Sequence, residues 1–559
     1  MIVGIPGGRQ VAFFVLLTVC YLYWFQIYPQ FVPTNELSRL LLTSAIVEDG
    51  SLNIDRAILR YSDSEDKASF GGHSYSDKAI GTSLLSIPPF LLLHFVEKVF
   101  AVHFSASIAI FFLRVFVVTI PALLFVPVIA RYWNRMKPND CLIPYFLFLL
   151  LFGTIAFPYS LQLINHYLLG ILLFIPIYLL SGFRGRHQEI PARNLWLSGA
   201  ATGLALTMEY PAALPVALVC LYVCWIVRDW KRVATFAVPV IAFVLLMLAY
   251  NYAIFGTPFD VTYRHMTERH IEHHAHGLVG VNLPKPEALW GLLFSRHHGL
   301  FFISPLLLFS IPGLILMIRS KEWKAEGWLF IGISLSVLFA YTGFFYWIGG
   351  WAVGPRYLAP LMPFLMTAVF FFFTDTRFRS NALLRIAAIA TGVVSVLFVL
   401  AGTITFPYPP DVFPDPTFFL FFPLLLNGGQ SISLGSFLGL PHFGAVLFFL
   451  TLVIVTLLIA VTPSGILRVS AQFKRDAFVS GALVALFLFV CALLSPSPDS
   501  KQYYGRGLVY AFCGRYEQAA VDMDTALKMN TDEQLGQRIR HAVFQIQGIL
   551  KQRQSETSE

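Results

Sequence analysis

The stretch FVPTNELSRLLLTSAIVEDGSLNID, from Phe31 to Asp55, decides how the rest of this chain is interpreted. Continued to Gly81, it is the only polar segment of the first 130 residues, and it follows an apolar run from Val11 to Tyr28. An apolar run of that length suits a helix that crosses a bilayer. We therefore expect a long polar loop, residues 29–105, at a membrane surface.

Within this loop, Asn35 and Glu36 open a helical pattern of leucines that stops at Gly50. A polar start and a glycine stop are typical of helix boundaries. Glu36 therefore lies in the first helical turn, just after the preceding span. Further along, Asp77 and Lys78 precede a second apolar stretch. The loop holds a carboxylate and a lysine at a membrane surface, and we interpret it as the active site.

The composition indicates a membrane protein. Of 559 residues, 57% are hydrophobic and 13% are charged, whereas a soluble protein carries about 25% charged residues. The net charge of +8 follows the loops rather than a nucleic-acid surface, so no nucleic-acid partner is expected. The six cysteines are scattered, and their spacing predicts neither a disulfide framework nor a zinc site.

Thirteen apolar runs have about the length of a membrane span. They lie near 11–28, 106–130, 141–157, 163–181, 195–208, 211–227, 233–250, 299–318, 327–347, 358–374, 385–405, 443–462 and 477–495. The predicted fold is an all-α polytopic membrane protein with a large first extracytoplasmic loop and a small helical tail.

Loop charges predict the orientation. Each loop assigned to the inside carries three cations, whereas the short outer loops carry only Arg356 between them. Such a bias places the amino end in the cytoplasm and, after thirteen spans, the carboxyl end outside an inner (plasma) membrane. The run 82–96 is not counted, because counting it would reverse every later loop. Its central Pro88-Pro89 also suits a helix that lies in the interface.

The chain changes character after Ser495. Residues 496–559 are soluble in composition, in contrast to the membrane domain 1–495. Small and aromatic residues match the spacing of a tetratricopeptide helix pair at Gly507, Tyr510, Gly514, Tyr516, Ala519 and Ala526. One repeat cannot bury its apolar face alone, so we expect the tail to pack on 537–550, on the membrane domain or on a protein partner.

Charged residues of the loop and of the second span are the first candidates for chemistry. Glu36 is placed to deprotonate an acceptor hydroxyl or to hold a divalent cation, and the alternative is a helix-start carboxylate paired with Arg39. Lys78 is either a phosphate ligand or a membrane anchor. Arg114 lies inside the second span, where a charge requires an anionic partner, and Glu209 is one candidate.

Two further candidates lie in outer segments. Arg356, close to the glycines of WIGGWAVGPRYLAP, suits a phosphate clamp, and the alternative is a cap on the next span. His166 at the outer end of the fourth span is a secondary candidate. The loop 251–298 holds half of the fourteen histidines, including His270 and His274 four residues apart. A histidine-rich interfacial helix is the commoner explanation there, so no metal ligands are assigned.

Taken together, these residues resemble a C-type polyprenyl-phosphate-dependent glycosyltransferase, the group of the aminoarabinose transferases and protein O-mannosyltransferases. The resemblance covers residues 10–495 and rests on the acidic first loop, on SYSDKAIGTSLLSIP and on FFLRVF. YNYAIFGTPFD, LLFSRHHGLFFISP and GPRYLAPLMPF support it. Two departures are visible. The Asp-Glu pair typical of the mannosyltransferases is replaced by Asn35-Glu36 in this chain. The two prolines that follow the lysine in the family are replaced by Ala79-Ile80.

The resemblance implies a transfer of sugar from a polyprenyl-phosphate donor to a hydroxyl of a lipid, glycan or protein acceptor at the outer membrane face. Glu36 would be catalytic, and a divalent cation is an open alternative. Lys78 would bind the carrier phosphate, with Arg114 and Arg356 as cavity cations and Asn35 and His166 beside the substrate. The competing hypothesis is a transporter or lipid-linked sugar flippase, although the sequence shows no duplicated halves.

Overall fold

The computed structural model of the protein describes residues 7–184, 189–266, 271–272, 274, 277, 279–461 and 471–558. Helices dominate, and the strands found among these residues form one two-stranded antiparallel sheet. Many of the helices are apolar enough to lie in a membrane. The chain is therefore an all-α membrane protein, which confirms the predicted class.

Nine helices in the described part of the chain are long and apolar enough to cross a membrane. They are Gly81–Phe100, Ala106–Met136, Tyr210–Val227, Trp230–Phe255, Lys324–Thr342, Arg356–Thr374, Ala382–Ile404, His442–Val461 and Arg475–Leu493. All except Gly81–Phe100 coincide with predicted spans. Four further predicted spans correspond to the shorter apolar helices Gly8–Tyr21, Ile143–Phe152, His166–Ser181 and Pro305–Arg319. The total of thirteen stays a prediction.

The amino-terminal part forms a compact polar layer between two apolar helices. Its elements are α1 (Gly7–Tyr21), α2 (Thr34–Ser44) with a π turn (Ala45–Asp49), α3 (Asp55–Arg60), β1 (Lys67–Phe70), β2 (His73–Ser76) and α4 (Gly81–Phe100). Gly50 ends the π turn with a φ of +60°, a conformation that glycine adopts without strain. The predicted helix over 35–49 is thus confirmed.

The first helix is shorter than its apolar run. It ends at Tyr21, although the sequence predicts a span to residue 28. The segment after it is extended, since the Phe25 amide donates to the Ile432 carbonyl at 3.0 Å and Trp24 pairs with Ser433. Pairing with a distant segment satisfies the backbone without a helix, which local hydropathy cannot reveal.

Helix α4 runs beside α2 for about its first three turns. Near its start, the Ser83 hydroxyl donates to the Arg39 carbonyl at 3.2 Å. Further along, His94 Nδ1 lies 3.0 Å from Glu48 at the end of the π turn. The two helices therefore share a direction, and α2 carries polar and charged side chains along its length. By length and composition α4 could also cross a membrane, so its predicted interfacial position stays a prediction.

Among the described residues, the membrane domain continues through nineteen further α-helices. The first group is α5 (Ala106–Arg114), α6 (Ile120–Met136), α7 (Ile143–Phe152), α8 (Ala156–Tyr159), α9 (His166–Ser181), α10 (Ala192–Met208), α11 (Ala213–Val227) and α12 (Trp230–Phe255). The second group is α13 (Pro286–Phe294), α14 (Leu300–Ile303), α15 (Ser310–Arg319), α16 (Lys324–Thr342), α17 (Met362–Thr374), α18 (Thr376–Arg379), α19 (Ala382–Ile404), α20 (Phe422–Leu426), α21 (Leu434–Phe437), α22 (His442–Val461) and α23 (Ala471–Leu493).

Small residues let several of these helices approach closely. A Cβ added at Gly199 of α10 would lie 2.0 Å from the Phe236 carbonyl oxygen of α12. The same addition at Gly313 of α15 would lie 2.0 Å from the Ala368 carbonyl oxygen of α17. Close backbone approach at small residues is a common way for helices to pack in lipid.

The tail consists of α24 (Ser500–Phe512), α25 (Tyr516–Met529) and α26 (Glu533–Ser558). Its core includes Val509, Met523 and Ile539, and it is continuous with Phe406 and Phe421 of the segment before α20. The tail therefore packs both on its own last helix and on the membrane domain, two of the surfaces expected for it. The tetratricopeptide assignment and the domain boundary at 495 stay predictions.

Candidate functional site

A cavity of about 900 Å³ lies where the first loop meets the ends of several apolar helices. It is lined by Asn35, Lys78, His166 and Arg356, so the structure brings together four of the six predicted site residues. These four are contributed by α2, by the turn before α4, by the start of α9 and by the segment before α17. The remaining two, Glu36 and Arg114, do not line it.

Lys78 is enclosed by two carboxylates of the first loop. Its Nζ lies 2.8 Å from Asp77 Oδ2 and 3.2 Å from Asp66 Oδ2. Burial lowers the pKa of the ammonium, but Asp66 and Asp77 more than offset this, so the pKa of Lys78 is raised. Lys78 is thus charged and already paired, which leaves less of its charge for a ligand phosphate than a lone lysine would offer.

Arg39 is a cavity residue that sequence reasoning missed as a ligand. Its guanidinium is 4% exposed and donates to the neutral oxygens of Asn35 and Asn165, the latter at 3.0 Å. Its Nε is buried without a hydrogen-bond partner among the described residues. Burial lowers the pKa of the Arg39 guanidinium, and the charges of Asp77 and Glu209 offset only part of this effect. The expected pair between Glu36 and Arg39 does not form.

Arg356 is a second guanidinium in this cavity without a carboxylate close by. Its Nε is buried and makes no hydrogen bond with the described residues, none of whose carboxylates lies within 4 Å of it. Its central carbon lies 5.2 Å from the Tyr357 ring. Gly349 has a φ of +80°, and a Cβ there would lie 3.3 Å from Arg356 Nε. Gly349 thus leaves room beside Arg356, as the glycines near this arginine in the sequence suggested.

His166 forms a dyad with Glu209. The His166 Nδ1 lies 3.1 Å from Glu209 Oε2, and the Tyr341 hydroxyl lies beside the same carboxylate. Tyr341 in turn stacks on Tyr357 with ring centres 4.1 Å apart. The expectation that Glu209 is a partner of Arg114 is therefore wrong, since Glu209 pairs with the histidine. Because Nδ1 faces Glu209, Nε2 is the imidazole nitrogen that remains for a ligand in the cavity.

Glu36 lies outside the cavity wall in a closed network. Arg114 donates to it through Nε at 2.6 Å and through Nη2 at 2.9 Å. The Tyr408 hydroxyl and the Leu163 amide donate to it as well, both at 2.6 Å. Glu36 is 0% exposed and Arg114 is 3% exposed. All four hydrogen bonds of the carboxylate are used within the protein, which is the geometry of a structural ion pair.

Arg114 extends this network to the chain after α1. Its Nη1 donates to the carbonyls of Phe25 and Gln26 at 3.1 and 3.0 Å. The pair therefore joins α2, α5, the turn before α9, the segment before α20 and the chain after α1. This geometry does not favour the predicted roles of Glu36 as a catalytic residue and Arg114 as a cavity cation, and both stay predictions to be tested.

The histidine-rich loop is only partly described. His270, His273 and His276 lie outside the described residues, so the predicted pair of His270 and His274 cannot be placed. His274 stacks on Tyr263 with ring centres 4.4 Å apart. Both of these residues line the cavity, so the loop contributes to its wall.

Comparison of the chain with protein-family models, with curated proteins and with solved structures gives no match. The fold and the cavity define a polytopic helical membrane protein with a buried polar site. Any narrower assignment depends on the chemistry of that site.

Proposed function

We propose that the protein transfers a sugar from a polyprenyl-phosphate donor to an acceptor hydroxyl at the extracytoplasmic face of the membrane. The observation that carries this proposal is the pair of buried guanidinium groups, Arg39 and Arg356, in one cavity. Buried charges are normally paired, and each of these has only neutral hydrogen-bond partners or none among the described residues. An anion such as a phosphate would complete both.

The walls of the cavity suit the rest of such a donor. Leu214 of α11 and Phe339 of α16 line the cavity, and these two apolar side chains are 45% and 52% exposed. These apolar side chains give part of a lipid chain a surface to contact beside the guanidinium groups. Deeper in the wall, Phe344, Tyr346 and Trp351 provide aromatic surface, as ligand pockets commonly do.

The His166–Glu209 dyad supplies the base that the reaction needs. The acceptor oxygen forms a bond to the anomeric carbon, the bond from that carbon to the phosphate oxygen breaks, and the acceptor proton passes to His166 Nε2. Glu209, whose Oε2 lies 3.1 Å from His166 Nδ1, stabilises the charged form of the imidazole, as carboxylates beside histidines do in other enzymes. The polyprenyl phosphate leaves with its charge held by Arg39 and Arg356.

The affinity for the donor tests whether Arg39 and Arg356 bind its phosphate. We expect Arg356→Ala to weaken binding of a long-chain polyprenyl phosphate by roughly 10- to 100-fold, since a hydrogen bond to a charged group contributes roughly 1.5–3 kcal/mol. Arg356→Lys should restore little, because the planar fork is lost. Affinity is measured on purified protein in detergent, with the corresponding polyprenol, which has no phosphate, as a second probe.

Arg193→Ala is the matched control, since this exposed arginine lies in the first turn of α10, does not line the cavity and is predicted to face the cytoplasm. The control should bind the phosphate like the wild type, and no variant should change the weak binding of the polyprenol. Wild-type affinity for the phosphate in both Arg356→Ala and Arg39→Gln would refute the anion site.

The base is tested by transfer rate. We expect His166→Gln to lower sugar transfer by roughly 10²- to 10⁴-fold, the usual contribution of general-base catalysis, without weakening donor binding. Glu209→Gln should lower it as well, by removing the charge that stabilises the protonated imidazole. A normal rate in His166→Gln would exclude the dyad as the base. Movement of lipid-linked sugar across vesicles without any transfer would instead favour the flippase.

A further inference from the structure

Two histidines and an aspartate from distant parts of the chain lie together close to the cavity. His297 and His298 lie in the turn between α13 and α14, and Asp411 lies in the segment between α19 and α20. Each residue offers one metal-ligating atom, and the three atoms all lie within 4.8 Å of one another. Asp411 lines the cavity, whereas the two histidines do not. None of the three has a role in the function proposed above.

Contacts on both sides of this cluster hold the turn and the segment together. The Arg296 guanidinium, next to His297, lies 3.2 Å from the carboxylate of Asp415. Asp415 follows Asp411 by four residues, so this ion pair joins the turn to the segment that carries the third ligand. The Phe413 carbonyl, between these two aspartates, lies beside the His297 imidazole. Carbonyl groups in this position commonly orient the histidine ligands of metal sites.

The two imidazoles have buried nitrogens that make no hydrogen bond with the described residues. These atoms are Nδ1 and Nε2 of His298 and Nε2 of His297. His298 is 0% exposed, so protein encloses both edges of its ring. Buried polar groups in proteins normally have partners, and leaving them without one is costly. A metal ion would give one nitrogen of each ring a partner.

Burial also keeps both imidazoles neutral. It lowers the pKa of His297, and the Asp411 charge and the Phe413 carbonyl offset only part of this effect. Burial lowers the pKa of His298 well below its ordinary value, and the neighbouring His297 and Arg356 act in the same direction. Neutral imidazole is the form that binds metal ions. A divalent cation can therefore bind both rings without displacing a proton.

Asp411 supplies the negative charge that a cation requires. Its Oδ2 accepts a hydrogen bond from the Tyr346 hydroxyl at 2.8 Å, and the carboxylate has lone pairs left for an ion. Two ligands that each lie roughly 2.0–2.1 Å from a zinc ion at the tetrahedral angle are roughly 3.3–3.4 Å apart. Asp411 is exposed, so its side chain is free to rotate toward the histidines when an ion binds. A small rotation brings separations of at most 4.8 Å into the coordination range.

We propose that His297, His298 and Asp411 bind a zinc ion at the edge of the cavity. Two histidines and one carboxylate suit zinc better than magnesium or calcium, which prefer oxygen ligands. Iron binds the same donor set, but zinc has the higher affinity of the two divalent ions.

Three protein ligands leave the fourth position of the zinc ion open, as in sites that take up a water molecule or a substrate. The ion keeps one positive charge beyond that of its carboxylate, and the Arg356 charge acts on the same place. An anion is therefore the expected fourth ligand. The zinc site does not depend on the proposed sugar transfer, and either proposal can fail without the other.

The test is Zn²⁺ binding by the full-length protein purified in detergent, measured by competition with a chromophoric chelator. We expect one tight equivalent whose affinity falls at least roughly tenfold in Asp411→Asn and in His297→Gln, since even the loss of an outer partner of a zinc ligand lowers affinity by roughly 10- to 100-fold. Asp411 is exposed, so its replacement should leave the fold intact. X-ray absorption by the wild type with one equivalent should show nitrogen and oxygen ligands at roughly 2.0–2.1 Å.

Asp63→Asn is the matched control for the aspartate, because Asp63 is exposed and pairs with Lys67 at 2.6 Å in the first loop. His73→Gln is the control for the histidine, since His73 is also exposed in that loop. Both controls should keep the wild-type affinity, including that of any zinc bound by the histidine-rich loop. A chain that binds no tight zinc would overturn the proposal, and so would wild-type affinity in both Asp411→Asn and His297→Gln.

Discussion

Replacing Glu36 with glutamine tests whether this carboxylate stabilises the fold or takes a proton from the acceptor. The substitution keeps the shape of the side chain and removes its charge. It leaves the Arg114 guanidinium buried without an anion. It also replaces one carboxylate oxygen by an NH₂ group, which cannot accept the hydrogen bonds that Arg114 and the Leu163 amide donate to Glu36. Both roles predict a loss of activity, but only the structural role predicts a loss of stability.

The expected magnitude follows from the burial of the pair. Glu36 is 0% exposed and Arg114 is 3% exposed, so no solvent can replace the missing partner. Removing one partner of a buried ion pair costs roughly 3–5 kcal/mol. At roughly 1.4 kcal/mol for each factor of ten, the folding equilibrium constant should fall by roughly 10²- to 10⁴-fold.

Unfolding in mixed micelles, followed by tryptophan fluorescence, measures this change. Glu322→Gln is the control. The Glu322 carboxylate is exposed, so its replacement should change the free energy of unfolding by less than about 0.5 kcal/mol. The double variant Glu36→Gln with Arg114→Met removes both charges. It should be more stable than the sum of the single effects predicts, by roughly 1–3 kcal/mol, as expected for groups in direct contact.

The outcome separates the two hypotheses. If the free energy of unfolding of Glu36→Gln lies within about 0.5 kcal/mol of the wild-type value and sugar transfer is still lost, the structural interpretation is wrong. The sequence-based assignment of Glu36 as the base is then supported. If Glu36→Gln is destabilised and the fraction that folds keeps its transfer rate, Glu36 has no part in the chemistry.

Two further predictions concern topology and the tail. A cysteine introduced at Asn134, in the last turn of α6, should react with an impermeant reagent only in permeabilised cells if α4 lies on the outer face without crossing, as the sequence predicts. Reaction in intact cells would reverse the orientation and place the first loop inside. Deletion of 500–558 should leave membrane insertion intact but lower the thermal stability of the purified protein, because it exposes Phe406 and Phe421. An unchanged melting temperature would show that the tail is not part of that core.

The sequence was sufficient to predict the class of the fold and several residues that the structure brings together in one cavity. Apolar length and charge are properties of short segments, so the runs that become helices can be read directly from the residues. The helix that starts at Thr34 and stops at Gly50 was predicted for the same reason, since its boundaries are local signals. Asn35, Lys78, His166 and Arg356 were expected near one substrate, and they line one cavity.

The tertiary structure decided which charges meet. The sequence offered Glu209 as a partner for Arg114, and only the packing of α5 against α2 selects Glu36, 78 positions away. That choice leaves Glu209 to His166 and leaves Arg39 without a carboxylate partner among the described residues. The pairing of buried charges depends on contacts between distant segments. Such contacts leave no periodic signal in the sequence, because each partner is consistent with its own local structure whichever pair forms.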